Sequence, residues 1–395
     1  MQPREADIPF RVLYVNHVGE VAGAEMSLLT LLRHLQSDEF EATVAAPRQG
    51  RLHALLDGIN ITAEHIPPLR LHRTRNPLRM ARQAAAVLTR RIQLGSIIQR
   101  TQPDLLHANS LTAAIAATTW SYGMPPVVLH IRDLNFPRRA MQWTSSGAAG
   151  IIAISECVKQ AIVEAAPEAA DKTEIIYNGI DREEFRPDRT RAEVRQMLGL
   201  GEDALLVGNV GQLVPWKRQD MFLEAAAAIT TRLPQARFII VGADMFGEHP
   251  EYVAGLRAQA HQLGLGRAVI WAGYRDDVAN LMSAMDVMVH TAEAEPLGRV
   301  ILEALCVGTP CVAVNANGPA EIIENLESGV LAEADGQALA EAAVTVLSKP
   351  RLAQALAEGG QTRIAEEFSA EQMAPRTEQF YRRVQGQKLS RRWPI

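Results

Sequence analysis

The 395-residue chain is poor in cysteine, with only Cys157, Cys306 and Cys311. So sparse and odd a set excludes a disulfide framework and suits reduced thiols in the cytoplasm. No run approaches the roughly 18 apolar residues of a membrane span. The charged start, MQPREADIPF, lacks the apolar core of a secretory signal. H-E-x-x-H and paired C-x-x-C are absent, which leaves a zinc site unsupported, and Cys306 and Cys311 are expected to pack in the core. There is no G-x-S-x-G elbow and no G-x-x-x-x-G-K-[ST] loop. No D-x-D occurs, which argues against a metal held by adjacent aspartates to bridge a diphosphate. With 40 Lys+Arg against 45 Asp+Glu the chain is mildly acidic, unlike a dedicated nucleic-acid binder.

What is present is a soluble globular composition, 47% apolar and 22% charged, which excludes a disordered chain. A typical domain of roughly 100–200 residues makes two domains the expectation. Short runs rich in Val and Ile predict strands at 11–16, 41–47, 104–110, 125–132, 150–155 and 173–179. In the second half they recur at 204–211, 236–242, 268–273, 286–292 and 310–316. These runs are continuous rather than alternating, as in strands buried on both faces of a parallel sheet, and Ala/Leu-rich helical stretches supply the crossovers. The charged, proline-containing stretch 181–194 marks a boundary near residue 187. Two doubly wound domains facing one another would line a cleft with the carboxyl ends of both sheets.

Three segments carry chemistry. In the first, HTAEAEPLGRVILEALC, strand 286–292 gives way to Glu293, Glu295 and Pro296, and a helix opens near Arg299. Glu303, eight residues past Glu295, falls about one turn into that helix. Free N–H groups from Leu297 through Gly298 and Arg299 to Val300 can bind a phosphate, and a neighbouring carboxylate can accept hydrogen bonds from sugar or ribose hydroxyls. In the second, NVGQLVPWKRQD, Gln212 lies in the loop after a strand and Lys217 is expected to open the next helix. At the same sheet edge, Lys217 would clamp a diphosphate. The third, VNHVGEVAGAEM, sets Gly19 and Gly23 before a helix, without a G-x-G-x-x-G fingerprint; Gly23 permits close backbone approach to a ligand. His107 and His130 end strands on the cleft side. His107 is as readily a structural residue, whereas His130, followed by Arg132 and Asp133, is the stronger site candidate.

With those residues in view, the chain resembles the family 4 retaining glycosyltransferases from end to end. The segments that carry the likeness are GAE (23–25), IIAISECVKQAI (151–162), IIYNGIDREEFRP (175–187), VGQLVPWKRQD (210–220) and EAEPLGRVILEALCVGTPCVAVNANGPAEII (293–323). The resemblance implies an α/β GT-B fold of two facing Rossmann-like domains. Residues 1–186 would bind the acceptor and residues 187–371 a nucleotide-diphospho-sugar (UDP or GDP). Residues 372–395 would form a helix that crosses back to the first domain. The implied reaction is a metal-independent, retaining hexosyl transfer without a cofactor, in which the leaving phosphate helps deprotonate the acceptor. The acceptor would be a glycan, lipid-linked or small molecule, such as a polysaccharide or glycolipid precursor. By the same likeness Glu303 would bind ribose hydroxyls, and Glu295 with the Leu297–Gly298 backbone the transferred sugar. Lys217 and the amides of Arg299 and Val300 would take the diphosphate, and Tyr274 and Arg275 would lie against the base. His130 would sit near the reacting face, and Gly23 in the loop that closes on the phosphates.

The chain departs from the family pattern at three positions. Gln212 stands where Arg is usual, Arg218 where Gly is frequent, and Asn317 replaces the first of paired glycines. Gln212 removes a charge that an inward-turned Arg218 would restore. It also motivates a rival reading, a non-catalytic sugar-nucleotide-binding subunit; a GT-B epimerase is a further alternative. A charge run is hidden in the net −5. From His65 to Pro103 there are eight arginines (70, 73, 75, 79, 82, 90, 91, 100) and no acid, so +8 is set against −13 elsewhere. Asn76 and Pro77 read as a cap and first helical residue. Arg79, Arg82, Arg90 and Arg100 fall within roughly 80° of a helix beside Leu78, Val87, Leu88 and Ile92. That pattern suits either a solvated outer face or peripheral contact with anionic lipid, or with a phosphorylated lipid-linked acceptor, at the inner face of the cell membrane.

Overall fold

The computed structural model describes residues 9–69, 71, 76–118, 124–201, 203–245 and 247–390, with side chains to 386. The chain divides into two compact units, one of 1–179 with 370–395, the other of 180–369. The division thus falls ahead of the charged stretch, not inside it at 187. The reason is that this stretch is anchored to the second unit. Asn280 caps the backbone N–H groups of Asp188 and Arg189, and Arg191 and Arg195 both pair with Asp286, at 2.5 and 3.1 Å.

The first unit holds β1 (Phe10–Val15), β2 (Phe40–Ala46), β3 (Thr62–His65), β4 (Leu105–Ala108), β5 (Val127–Ile131), β6 (Gly150–Ala153) and β7 (Thr173–Ile175). They form one parallel sheet in the order β3-β2-β1-β4-β5-β6-β7. The second unit holds β8 (Leu205–Val210), β9 (Ala236–Val241), β10 (Val269–Gly273), β11 (Val287–His290), β12 (Cys311–Val314) and β13 (Val330–Ala332). These too are all parallel, in the order β10-β9-β8-β11-β12-β13. Central strands such as β4, β5, β11 and β12 are buried at every position, so their apolar residues cannot alternate with polar ones. In each sheet the strand order reverses once, between β1 and β4 and between β8 and β11, and the loops beyond those strands are where this fold class places ligands.

The helix Ala370–Ser390 belongs to the first unit. Its Met373, Ala374, Phe380, Tyr381 and Val384 join Tyr14, Leu28, Val128 and Ile152 in that unit's core. The helix Pro77–Thr101 begins as its sequence predicts, with Asn76 Oδ1 accepting from the N–H groups of Leu78 and Arg79 at 3.0 and 3.3 Å. Its arginines do not share one solvated face, however. Arg90 is fully buried beside Leu94 and Ile97 and donates to the carbonyls of Pro67 and Asn16, both at 2.5 Å. Arg100 pairs with Glu64 at 2.8 Å, whereas Arg79 and Arg82 are exposed. Arg70, Arg73 and Arg75 lie outside the described residues. Among the described residues no helix is long and apolar enough to cross a membrane.

Candidate functional site

In the second unit, the loops after β8 and β11 meet at the point where the strand order reverses. The β8 loop is held by Thr291, whose hydroxyl donates to the Lys217 carbonyl at 2.7 Å, and by Gln219, whose amide donates to the Gln212 carbonyl at 2.9 Å. Lys217 does not open a helix as expected. It ends a short 3-10 turn, Pro215–Lys217, and the following helix starts at Gln219. This turn aims the Lys217 ammonium at Glu295, with which it forms a buried ion pair, and sets it 4.2 Å over the half-exposed Trp216 ring. His290, the last residue of β11, is the third member, its Nε2 lying 3.2 Å from Glu295 Oε2. Burial raises the Glu295 carboxyl, but Lys217 and the His290 hydrogen bond outweigh it and hold the group down at about 2. Burial lowers His290 in turn, so it donates from Nε2 as a neutral ring. The result is a permanently ionised carboxylate, fit to accept hydrogen bonds and already occupied as a base.

Two of the three departures from the family pattern fall at left-handed backbone positions. Arg218 has φ +55° and Asn317 φ +49°, left-handed conformations that glycine adopts most readily and asparagine tolerates. Arg218 does not turn inward to replace a charge missing at Gln212. Its guanidinium is engaged by Asp220 at 3.1 Å and Glu293 at 2.8 Å. Gly318 is required for a different reason, because a Cβ there would run into the Leu297 backbone. Gly298, with φ +108°, caps the helix Arg299–Cys306 and sets its N-terminus beside the Glu295 loop. Within the helix Arg299 pairs with Glu303 at 2.8 Å; burial raises the Glu303 carboxyl against the pull of Arg299. Leu297 is buried and Val300 half-buried. Beyond edge strand β10, the Tyr274 hydroxyl donates to Asp276 at 3.0 Å, and Arg275 grips Asp277 with two bonds of 2.6 and 2.7 Å. Of the cysteines, Cys311 is buried in β12 and burial pushes its thiol up, whereas Cys306 is only half-buried.

The first unit gathers a second polar cluster at its own reversal point. Tyr14 and His107 are partners across β1 and β4, and His130 lies on the same face of β5, two residues past Val128, the partner of His107. Tyr381, on the returning helix, reaches His107 Nδ1 at 2.7 Å, and its phenol oxygen lies 3.2 Å from that of Tyr14. His107 Nε2 lies 3.2 Å from His130 Nδ1, and Arg132 NH2 lies 3.1 Å from the same atom. Arg132 also donates to Asn109 at 3.1 Å and to Asn178. Asn109 donates to Asn16 at 3.0 Å, and Asn16 to Glu25 at 3.2 Å. Glu25 accepts from the Ala22 N–H at 3.1 Å and so holds the turn before Gly23. A Cβ at Gly23 would meet nothing within 4 Å, so the protein's own packing does not demand glycine there; Gly19, by contrast, is pressed against the Gln49 carbonyl. His290, Asn16, Asn109 and Glu25 are additions to the residues singled out from sequence. All are single polar residues at or just past the end of a buried strand, or opening a helix, and that position was the available signal.

The chain matches the family described as Glycosyl transferases group 1 over residues 190–363, and Glycosyltransferase Family 4 over 21–184. It belongs to this group 1 / family 4 glycosyltransferase family, and its fold is GT-B. Bacillus subtilis "Putative glycosyltransferase YtcC" is 28% identical over 58% of this chain, and the match spans 59% of that protein. "UDP-Gal:alpha-D-GlcNAc-diphosphoundecaprenol alpha-1,3-galactosyltransferase" of Escherichia coli is 24% identical over 82% of this chain and 84% of its own length. Among solved structures, Anabaena Alr3699/HepE in complex with UDP is 27% identical, with a TM-score of 0.80, covering 93% of this chain and 98% of that one.

Proposed function

We propose that this protein transfers a sugar from a UDP-sugar to a glycan or lipid-linked acceptor, a polysaccharide or glycolipid precursor, with retention at the anomeric carbon. The observation that carries this reading is the Lys217–Glu295–His290 cluster beside the N-terminus of the helix Arg299–Cys306, where the second sheet reverses its order. The likeness to HepE, crystallised with UDP and with UDP-glucose, supports UDP as the carrier. The Escherichia coli relative, whose acceptor is a diphosphoundecaprenol-linked sugar, supports the lipid-linked class.

On this reading Lys217 and the amides of Arg299 and Val300 take the diphosphate, which draws the ammonium away from Glu295. Glu295, kept ionised, and the Leu297–Gly298 backbone then receive the hydroxyls of the transferred sugar. Glu303 exchanges its Arg299 partner for the ribose hydroxyls, and Tyr274 and Arg275 flank the base. His130 and the Gly23 turn are assigned to the substrate that meets the first unit, at that unit's own reversal point. Departure of the diphosphate on the face the acceptor attacks lets a phosphate oxygen take the acceptor's proton, so no protein nucleophile is assigned. The departing charge is met by Lys217 and helix-end amides, so the reading requires neither metal nor cofactor. Release of UDP from a panel of UDP-, GDP- and ADP-sugars tests it. Turnover of a UDP-sugar by the wild type, abolished in Glu303→Ala with the fold intact, is expected. Wild type inert toward every donor would overturn it.

The reading places the chain in the cytoplasm, against the inner face of the membrane. The helix Pro77–Thr101 has no acidic residue, and exposes Leu78, Leu88 and Ile92 at helical spacing beside Arg79 and Arg82. Exposed apolar side chains flanked by cation alone are complementary to an anionic lipid surface. In flotation at low salt, wild type is expected to rise with phosphatidylglycerol vesicles and Leu88→Glu/Ile92→Glu to stay behind. Equal recovery with neutral vesicles would contradict the membrane assignment.

A further inference from the structure

The buried chain of rings in the first unit fixes more than a packing arrangement. Arg132 can only donate, so His130 Nδ1, 3.1 Å from its NH2, must accept and carry no proton. His107 Nε2 lies 3.2 Å from the same atom. Two bare ring nitrogens facing each other at that distance would repel, so the proton between them sits on His107 Nε2. His107 Nδ1 is then an acceptor, and the Tyr381 hydroxyl donates to it at 2.7 Å. The Tyr381 and Tyr14 hydroxyl oxygens lie 3.2 Å apart. Burial and the Arg132 charge bring His107 down to about 3 and lower His130 as well, so both rings stay neutral. The remaining His130 nitrogen, Nε2, therefore bears the proton. It is fully buried and without a hydrogen-bond partner among the described residues.

We propose that Arg132 and Tyr381 are positioning residues that lock His130 into the neutral Nε2–H tautomer, so that His130 gives a hydrogen bond to a substrate oxygen and does not accept the acceptor's proton. The inference rests on the glycosyl-transfer reading only for what His130 meets; the tautomer stands on geometry alone. It gives the returning C-terminal helix a role in the chemistry beyond covering the sheet, because the group that orients His107 comes from residue 381. It also places proton removal elsewhere than on His130.

The test is long-range proton–nitrogen correlation spectroscopy on the full chain labelled with nitrogen-15 in histidine. Resonances are assigned by their loss in His107→Gln and His130→Gln. Both rings are expected as neutral Nε2–H tautomers at pH 7.5. In Arg132→Gln/Tyr381→Phe, which removes the donors at both ends of the chain, His107 and His130 should lose their single tautomers. UDP-sugar turnover should fall about tenfold in kcat with KM for the donor little changed, as when an orienting partner is removed. His130 observed with its proton on Nδ1, or as imidazolium, overturns the proposal even if the enzyme is active. Tautomers unaltered in that double variant remove Arg132 and Tyr381 as positioning residues. A wild type with the Nε2–H tautomer but no turnover of any nucleotide-sugar would instead refute the functional reading and leave the tautomer assignment standing.

Discussion

Replacing Glu295 by Gln tests whether the Lys217–Glu295–His290 cluster is held by charge. Glu295 and Lys217 side chains are only 9% and 15% exposed, so their attraction is little screened by solvent. The carboxyl falls from its ordinary 4.5 to about 2 because Lys217 and His290 outweigh the cost of burial. At 1.36 kcal/mol per pH unit that fall is worth about 3 kcal/mol. The folded value lies below the unfolded one, so the contribution is fully present above about pH 4.5 and is lost as the pH drops toward 2. Gln keeps the shape and removes the charge. Wild type should therefore exceed Glu295→Gln by up to about 3 kcal/mol at pH 7, about 6–12 °C in midpoint for a domain of this size. The gap should narrow below pH 4.5 and close near pH 2. Scanning calorimetry of both proteins from pH 7 to 2.5, following the transition of the second unit, measures it. A gap that does not change with pH, or a variant as stable as wild type at pH 7, would refute the electrostatic account.

Gly318→Ala should disrupt the Glu295 loop, since its Cβ meets the Leu297 backbone. Chemical denaturation should show a loss of about 1–3 kcal/mol, the usual penalty for overpacking. Asn317→Gly, at a φ of +49°, should be nearly neutral in the same measurement. Arg90→Met leaves the Pro67 and Asn16 carbonyls without their buried donor, and a loss of about 2–4 kcal/mol is expected from two unsatisfied groups. Unchanged stability would mean that Arg90 is dispensable to the β1 turn.

Much of this architecture is written in local pattern. Eleven strands stand out because parallel strands buried on both faces must be runs of Val, Ile, Leu and Ala. The two that do not stand out, Thr62–His65 and Val330–Ala332, are sheet edges, short and partly exposed, where little apolar surface is buried and little signal is required. Glu295, Lys217 and His130 could be singled out from sequence because His130 lies within a buried strand and the other two in the loops that follow buried strands. The pairing of Lys217 with Glu295 was not, because it depends on a 3-10 turn that delays the helix to Gln219. Arg90 shows the limit of a charge count. Its spacing from Leu94 and Ile97 put it on the apolar side of its helix, and two backbone carbonyls make that burial affordable. Tyr381 could not be tied to His107 at all without the fold, since 274 residues separate them.

Titrating UDP into the wild type and Lys217→Ala by calorimetry tests the central claim, that the second unit binds a nucleotide diphosphate through the β8 and β11 loops. The account predicts a single site in wild type, weakened about 10- to 100-fold in the variant by loss of one charge-assisted hydrogen bond. Equal affinity in the two proteins, or no binding by wild type, would contradict it.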